Sequence, residues 1–137
     1  MDKQEKIAAL NNGLPPCIGI LKGRVVDYDA QAQSCEMHFD ISTQFCHSGD
    51  MVQGGIVTAM LDATMSHAVV AAEDAIAALP TLEIKVSFLG PSRAGPVRVV
   101  GKTLKAGRST VFLEGTLFDG AGEIAARASA TAKVVRR

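Results

Sequence analysis

The chain has 137 residues, enough for one core-burying domain, and its 14 Lys and Arg side chains are balanced by 14 Asp and Glu. That balance gives no electrostatic footprint for nucleic acid or another polyanion, and no stretch combines unbroken apolar length with spanning composition, so neither a nucleic-acid nor a membrane partner is expected. Cys17, Cys35 and Cys46 are odd in number and match no zinc spacing. They read as reduced, mostly buried thiols of a cytoplasmic protein, and no metal is expected.

In chain order, residues 3 to 10 suggest a short amphipathic helix, stopped by Asn11-Asn12-Gly13 and Pro15-Pro16, in an extension spanning residues 1–20. Gly23 to Tyr28 is rich in strand formers. From Ser34 to Asp40, Cys35, Met37 and Phe39 alternate with Glu36 and His38, the period of a half-buried strand. Ile41 to Asp50 reads as a loop, and Gln53 to Leu79 as one long apolar helix closed by Pro80. After Pro80 the period drops to two: Leu82, Ile84, Val86 and Phe88 alternate with Thr81, Glu83, Lys85 and Ser87. Val97–Leu104, Ser109–Phe118 and Ile124–Val134 follow as strands, linked by glycine-bearing turns at Gly107 and at Gly120 and Gly122. The last strand places Ile124, Ala126, Ala128, Ala130, Ala132 and Val134 on one face. Two strands, one long helix and four strands make an α+β chain, in which only the sheet is large enough to cover the helix.

The chemistry concentrates at the start of that helix. Gly54 and Gly55 allow a ligand to approach the backbone, and the first amides of a helix lack intrahelical partners and carry its positive end. Asp62, about two turns further on, is the one acid between Met51 and Ala72. A negative oxygen held by the terminus and a carboxylate beyond it could act on the same bound group.

These features together resemble the hotdog fold, and their motifs are similar to those of acyl-CoA thioesterases of the phenylacetate-degradation (PaaI-like) type. That family carries His-Gly-Gly, an Asp eight residues after the first Gly, and a Thr- or Ser-led strand ending in Pro. This chain carries Gly54-Gly55, Asp62 and Thr81-Leu82-Glu83-Ile84-Lys85-Val86-Ser87-Phe88-Leu89-Gly90-Pro91, with Gly107-Arg108 and Asp119-Gly120 further on. The resemblance implies an antiparallel sheet wrapped around one central helix across residues 1–137, and a homodimer or homotetramer with active sites at the dimer interface. It implies an acyl-CoA substrate and no cofactor beyond the CoA of the substrate itself.

Site roles follow from the same resemblance. The Gly54 amide would polarise the thioester carbonyl, Asp62 would be nucleophile or general base, and Thr81 would help hold the attacking water. His47 stands where the family usually has Asn or Gln, and Gln53 stands in place of the motif His. The residues themselves add Gly55, Ser66 and Arg108 to the expected substrate-binding set: Ser66 lies one turn from Asp62 and could hydrogen-bond it, and Arg108, like Lys102 and Lys105, could meet the CoA phosphates. Asp62 is expected to be partly desolvated among Met60, Leu61 and Met65. A non-catalytic acyl-CoA or acyl-carrier binding module on the same fold is the alternative.

Overall fold

The computed structural model describes residues 1–137. Helices α1 (Lys3–Asn12) and α2 (Pro16–Ile20) lead into strands β1 (Arg24–Asp29) and β2 (Ser34–Ile41). A 3-10 turn (Thr43–Phe45) and the hairpin β3 (Cys46–Ser48) and β4 (Met51–Val52) precede helix α3 (Gly54–Ala72). Then come β5 (Ile76–Ala78), β6 (Thr81–Phe88), β7 (Gly95–Ala106), β8 (Thr110–Phe118), β9 (Ile124–Lys133) and β10 (Val135–Arg136). Six strands form one antiparallel sheet in the order β1-β2-β7-β8-β9-β6, with α3 packed on one face.

The alternation read along Ser34–Asp40 is an inward set of this sheet, whereas that read along Thr81–Phe88 is not, since Leu82 and Phe88 are exposed. Met37, Phe39, Val99, Val111, Leu113 and Leu117 are buried against Met60, Leu61, Met65 and Ala68 of α3. Burying such side chains contributes roughly 1.5–3 kcal/mol each. The α3 helix passes very close to the sheet. A Cβ at Gly101 of β7 would stand 2.7 Å from Thr64 O and 2.8 Å from Met65 Cα, and one at Gly115 of β8 would stand 3.0 Å from Met65 Cγ. The absence of side chains at those two positions therefore sets the depth of the helix. By length and composition α3 would also suit a bilayer span. In this fold its Val57, Met60, Leu61, Thr64, Met65, Ala68, Val69 and Ala71 are buried.

Three expectations need correction. The long helix ends at Ala72 rather than near Leu79, because Glu73 is extended and Ile76–Ala78 pairs as β5 with the C-terminal β10. The Arg136 guanidinium holds Glu73 at 2.6 Å, so tertiary pairing overrides the helical composition of the segment. The segment from Ile41 to Asp50 is partly ordered into the 3-10 turn and β3. Ile124 does not share the inward face of the last strand: a register shift at Leu117/Phe118 buries both Ala125 and Ala126 and leaves Ile124 exposed.

The two edges of the sheet are treated differently. At the β1 edge, Asn11 Nδ2 donates to Val25 O (3.0 Å) while Val25 N donates to Asn11 Oδ1 (2.7 Å), so a side chain from α1 imitates a neighbouring strand. Replacing Asn11 by Ala is expected to cost about 1–2 kcal/mol in urea unfolding, since a main-chain pair then loses both partners. An unchanged midpoint would show that water serves that edge equally well. Strand β6 has no such cover, and Leu82 and Phe88 on it are 61% and 55% exposed.

Candidate active site

The segment that carries His47 and Gly54 is pinned on both sides. Gln53 N donates to Phe45 O (2.9 Å), Val52 N to Ser92 O (2.7 Å) and Ala94 N to Asp50 O (2.8 Å). The Arg93 guanidinium also grips Asp50 at 2.7 Å. These bonds hold the start of α3 against the β6–β7 connection. Gln53 is the N-cap, with φ −63° and ψ 139°, and its Oε1 accepts from Gly55 N (2.6 Å) and Ile56 N (3.3 Å). The Gly54 N–H makes no hydrogen bond in the chain. As the first helical amide it has no intrahelical acceptor, so it remains a free donor at the positive end of a 19-residue helix.

Gly54 faces a cavity of about 430 Å³ whose lining includes His47, Val57, Phe88, Leu89 and Ser92. The Phe88 ring leans on Gly54, where a Cβ would come within 3.3 Å of Phe88 Cζ. His47 is exposed at the rim, with Nδ1 2.9 Å from Ser48 Oγ. Phe88 is the wall that sequence reading missed. Its alternation marked it as a strand residue, and nothing local to residue 88 signals its contact with residue 54. A larger cavity of about 520 Å³ lies between α1 and the far end of α3, and none of the expected catalytic residues lines it.

Asp62 and Thr81 form a second cluster. The Thr81 hydroxyl donates to Asp62 Oδ1 at 2.7 Å, which ties the start of β6 to the middle of α3. Asp62 lies on the face of α3 turned away from the sheet. Met60, Leu61 and Met65 point into the core and are fully buried, so they do not enclose the carboxylate, which the single chain leaves half-buried. Ser66 makes no hydrogen bond to Asp62. Arg108 is exposed in the β7–β8 turn, where its carbonyl accepts from Arg136 Nη1 at 2.5 Å while its own guanidinium forms no ion pair. Through the ladder Val111–Ala132–Thr81, that turn sits at the same end of the sheet as Thr81.

The two clusters are separated along one helix. Eight residues at 1.5 Å rise place Asp62 about 12 Å from Gly54 along the α3 axis. A carbonyl carbon lies about 3 Å from its attacking atom, and a base acting through one water stands roughly 3 Å beyond that, a reach shorter than the span between the two clusters.

Of the remaining titratable groups, two carry a structural consequence. Burial pushes the Cys35 thiol up to about 12, which makes it an inert core group. Cys17, expected to be buried, is exposed. Burial also holds His67 below the ordinary imidazole value of 6.5, partly opposed by its Nδ1–Ala63 O hydrogen bond at 2.8 Å. The folded chain thus keeps His67 neutral where the unfolded chain takes up a proton. Stability should fall as pH drops below about 6.5, and His67→Gln should flatten that part of a urea-midpoint-versus-pH profile. An unchanged slope in the variant would assign the acid sensitivity elsewhere.

A single apolar helix laid on one antiparallel sheet, with a free amide at its N-terminus and a carboxylate two turns on, defines a hotdog architecture. The sequence pattern of the Thioesterase superfamily matches residues 49–126, and the chain belongs to that superfamily, with the hotdog fold of its PaaI-like members. SSO2140 of Saccharolobus solfataricus, named as an esterase, is 30% identical over 93 residues, which cover 68% of this chain and 66% of that protein, just under two thirds of its length. Among solved structures, the phenylacetic acid degradation-related protein REUT_B4779 of Ralstonia eutropha JMP134, named as a thioesterase, superposes with a TM-score of 0.86 at 29% identity, covering 97% of this chain and 100% of that one. The Streptococcus mutans UA159 protein smu.793, solved bound to acetyl-CoA, shares the fold at a TM-score of 0.71 and 16% identity over 82% of this chain and 88% of its own.

Proposed function

We propose that the protein hydrolyses acyl-CoA thioesters to the free acid and CoA, at sites each built from two copies of the chain. One copy supplies the Gly54 amide, with His47 and Phe88 around it. The other supplies Asp62 with Thr81. The thioester oxygen sits on Gly54 N–H, where negative charge grows as the carbonyl is attacked. The Asp62 carboxylate takes a proton from a water held with Thr81, and the hydroxide adds to the carbonyl carbon. Collapse of the tetrahedral intermediate breaks the C–S bond, and the CoA thiolate leaves and takes up the proton.

The observation that carries this reading is the separation of a free amide from a hydrogen-bonded carboxylate by about 12 Å of helix. The open β6 edge, with Leu82 and Phe88 exposed beside it, supports a dimer formed there. Dimer contact would also complete the desolvation that Asp62 lacks in the single chain. Acetyl-CoA in the S. mutans neighbour supports a CoA thioester as substrate, and the unpaired Arg108 guanidinium is a candidate contact for its phosphates. Three free cysteines fit a reducing, cytoplasmic setting.

The test is free-thiol release from a panel of short, medium, long and aryl acyl-CoAs. Turnover on at least one class is expected. Tight binding of acyl-CoA with no thiol release on any of them would instead make the chain a binding module.

A further inference from the structure

The N-terminus of α3 offers fewer donors than its sequence suggests, and Gln53 is the reason. Its side-chain oxygen accepts from Gly55 N at 2.6 Å and Ile56 N at 3.3 Å. Its main-chain carbonyl accepts from Ile56 N at 2.9 Å and Val57 N at 3.2 Å. Of the first amides of the helix, Gly54 N–H alone is left without an acceptor, and it belongs to the residue that faces the cavity shared with His47 and Phe88. The second glycine makes this arrangement possible. A Cβ at Gly55 would lie 2.7 Å from Gln53 Oε1, so any larger residue there displaces the cap.

We propose that Gln53 is a positioning residue for hydrolysis: by occupying the Gly55 and Ile56 amides with an uncharged oxygen, it leaves Gly54 N–H as the single oxyanion donor and fixes its direction. This rests on the reading of Gly54 as that donor. The lack of charge is the functional part. A carboxylate at residue 53 would cap the helix as well or better, because negative charge is favoured at a helix N-terminus. It would also stand beside the oxygen on which negative charge develops, and would oppose the transition state far more than the neutral ground state. Capping strength and catalytic fitness therefore pull in opposite directions at this position, and a carboxamide serves both.

The experiment compares Gln53→Glu, Gln53→Ala, Gly55→Ala and the double variant Gln53→Ala/Gly55→Ala with the wild type and Asp62→Asn, measuring Tm, kcat and KM. Gln53→Glu is expected to keep or raise Tm while kcat falls about 10-fold or more with KM little changed, the signature of an interaction made in the transition state. Gly55→Ala is expected to lower kcat by pushing the carboxamide off the terminus, and the double variant to be no slower than Gln53→Ala alone. A Gln53→Glu enzyme with wild-type kcat, beside a silent Asp62→Asn, would overturn the positioning role and leave the catalytic site standing. Absence of thiol release from the wild type itself would overturn the reading of the site and this inference with it.

Discussion

Asp62→Asn is expected to lower kcat by about 10²–10⁴-fold while KM and Tm stay close to wild type. The substitution keeps an oxygen where Thr81 Oγ1 donates at 2.7 Å, so the tie between β6 and α3 survives. It removes the negative charge that abstracts the proton of water. Because Asp62 is half-buried and outside the core cluster, its neutralisation leaves no cavity and no orphaned buried charge. Thiol release and a thermal melt on the same preparation decide the matter. Turnover surviving in a well-folded variant would remove Asp62 from the mechanism and leave the bond to Thr81 as a structural brace.

The largest expected loss of stability lies at a residue with no side chain. Gly101→Ala should destabilise the fold by about 2–3 kcal/mol and lower Tm on the order of 10 °C. The new methyl would meet backbone, Thr64 O at 2.7 Å and Met65 N at 2.8 Å, and a helix backbone cannot rotate aside as a side-chain tip can. Relief requires lifting α3 from β7, which loosens Met60, Leu61 and Met65 together in a close-packed core. Gly19→Ala is the control: it lies in α2 with nothing within 4 Å of its Cβ position, and the substitution should be neutral or mildly stabilising. Equal melting temperatures for the two variants would contradict the close approach of α3 to the sheet.

Local chemistry made part of this legible in advance. Strands such as Ser34–Ile41 and Thr110–Phe118 announce themselves because one face must be apolar, and that face meets the helix as the alternation implies. The spacing of Gly54, Asp62 and Thr81 likewise survives as geometry, with Asp62 and Thr81 in direct contact across 19 residues. What was hidden depends on partners distant in sequence. Residues 73 to 79 keep a helical composition, and pairing with the C-terminal strand makes Ile76–Ala78 extended after a turn at Asp74 and Ala75. Ile124 faces outward because of one bulge, and a one-residue register change moves a side chain to the other face. Gln53 looked like a replacement for a substrate-binding His, yet its side chain turns back onto its own helix. Phe88 reaches Gly54 only because β6 and the start of α3 meet in space.

Whether each site draws Gly54 from one copy and Asp62 from another is decided by complementation. Gly54→Pro deletes the amide donor at the first helical position, where proline is well tolerated, and Gln53 at φ −63° and ψ 139° already has the backbone a following proline requires. Gly54→Pro and Asp62→Asn chains, each inactive alone, are co-expressed with different affinity tags, and the mixed dimer is isolated. One of its two sites then pairs an intact Gly54 with an intact Asp62, and activity near half that of the wild type is predicted. A mixed dimer as silent as its two parents would contradict the shared site.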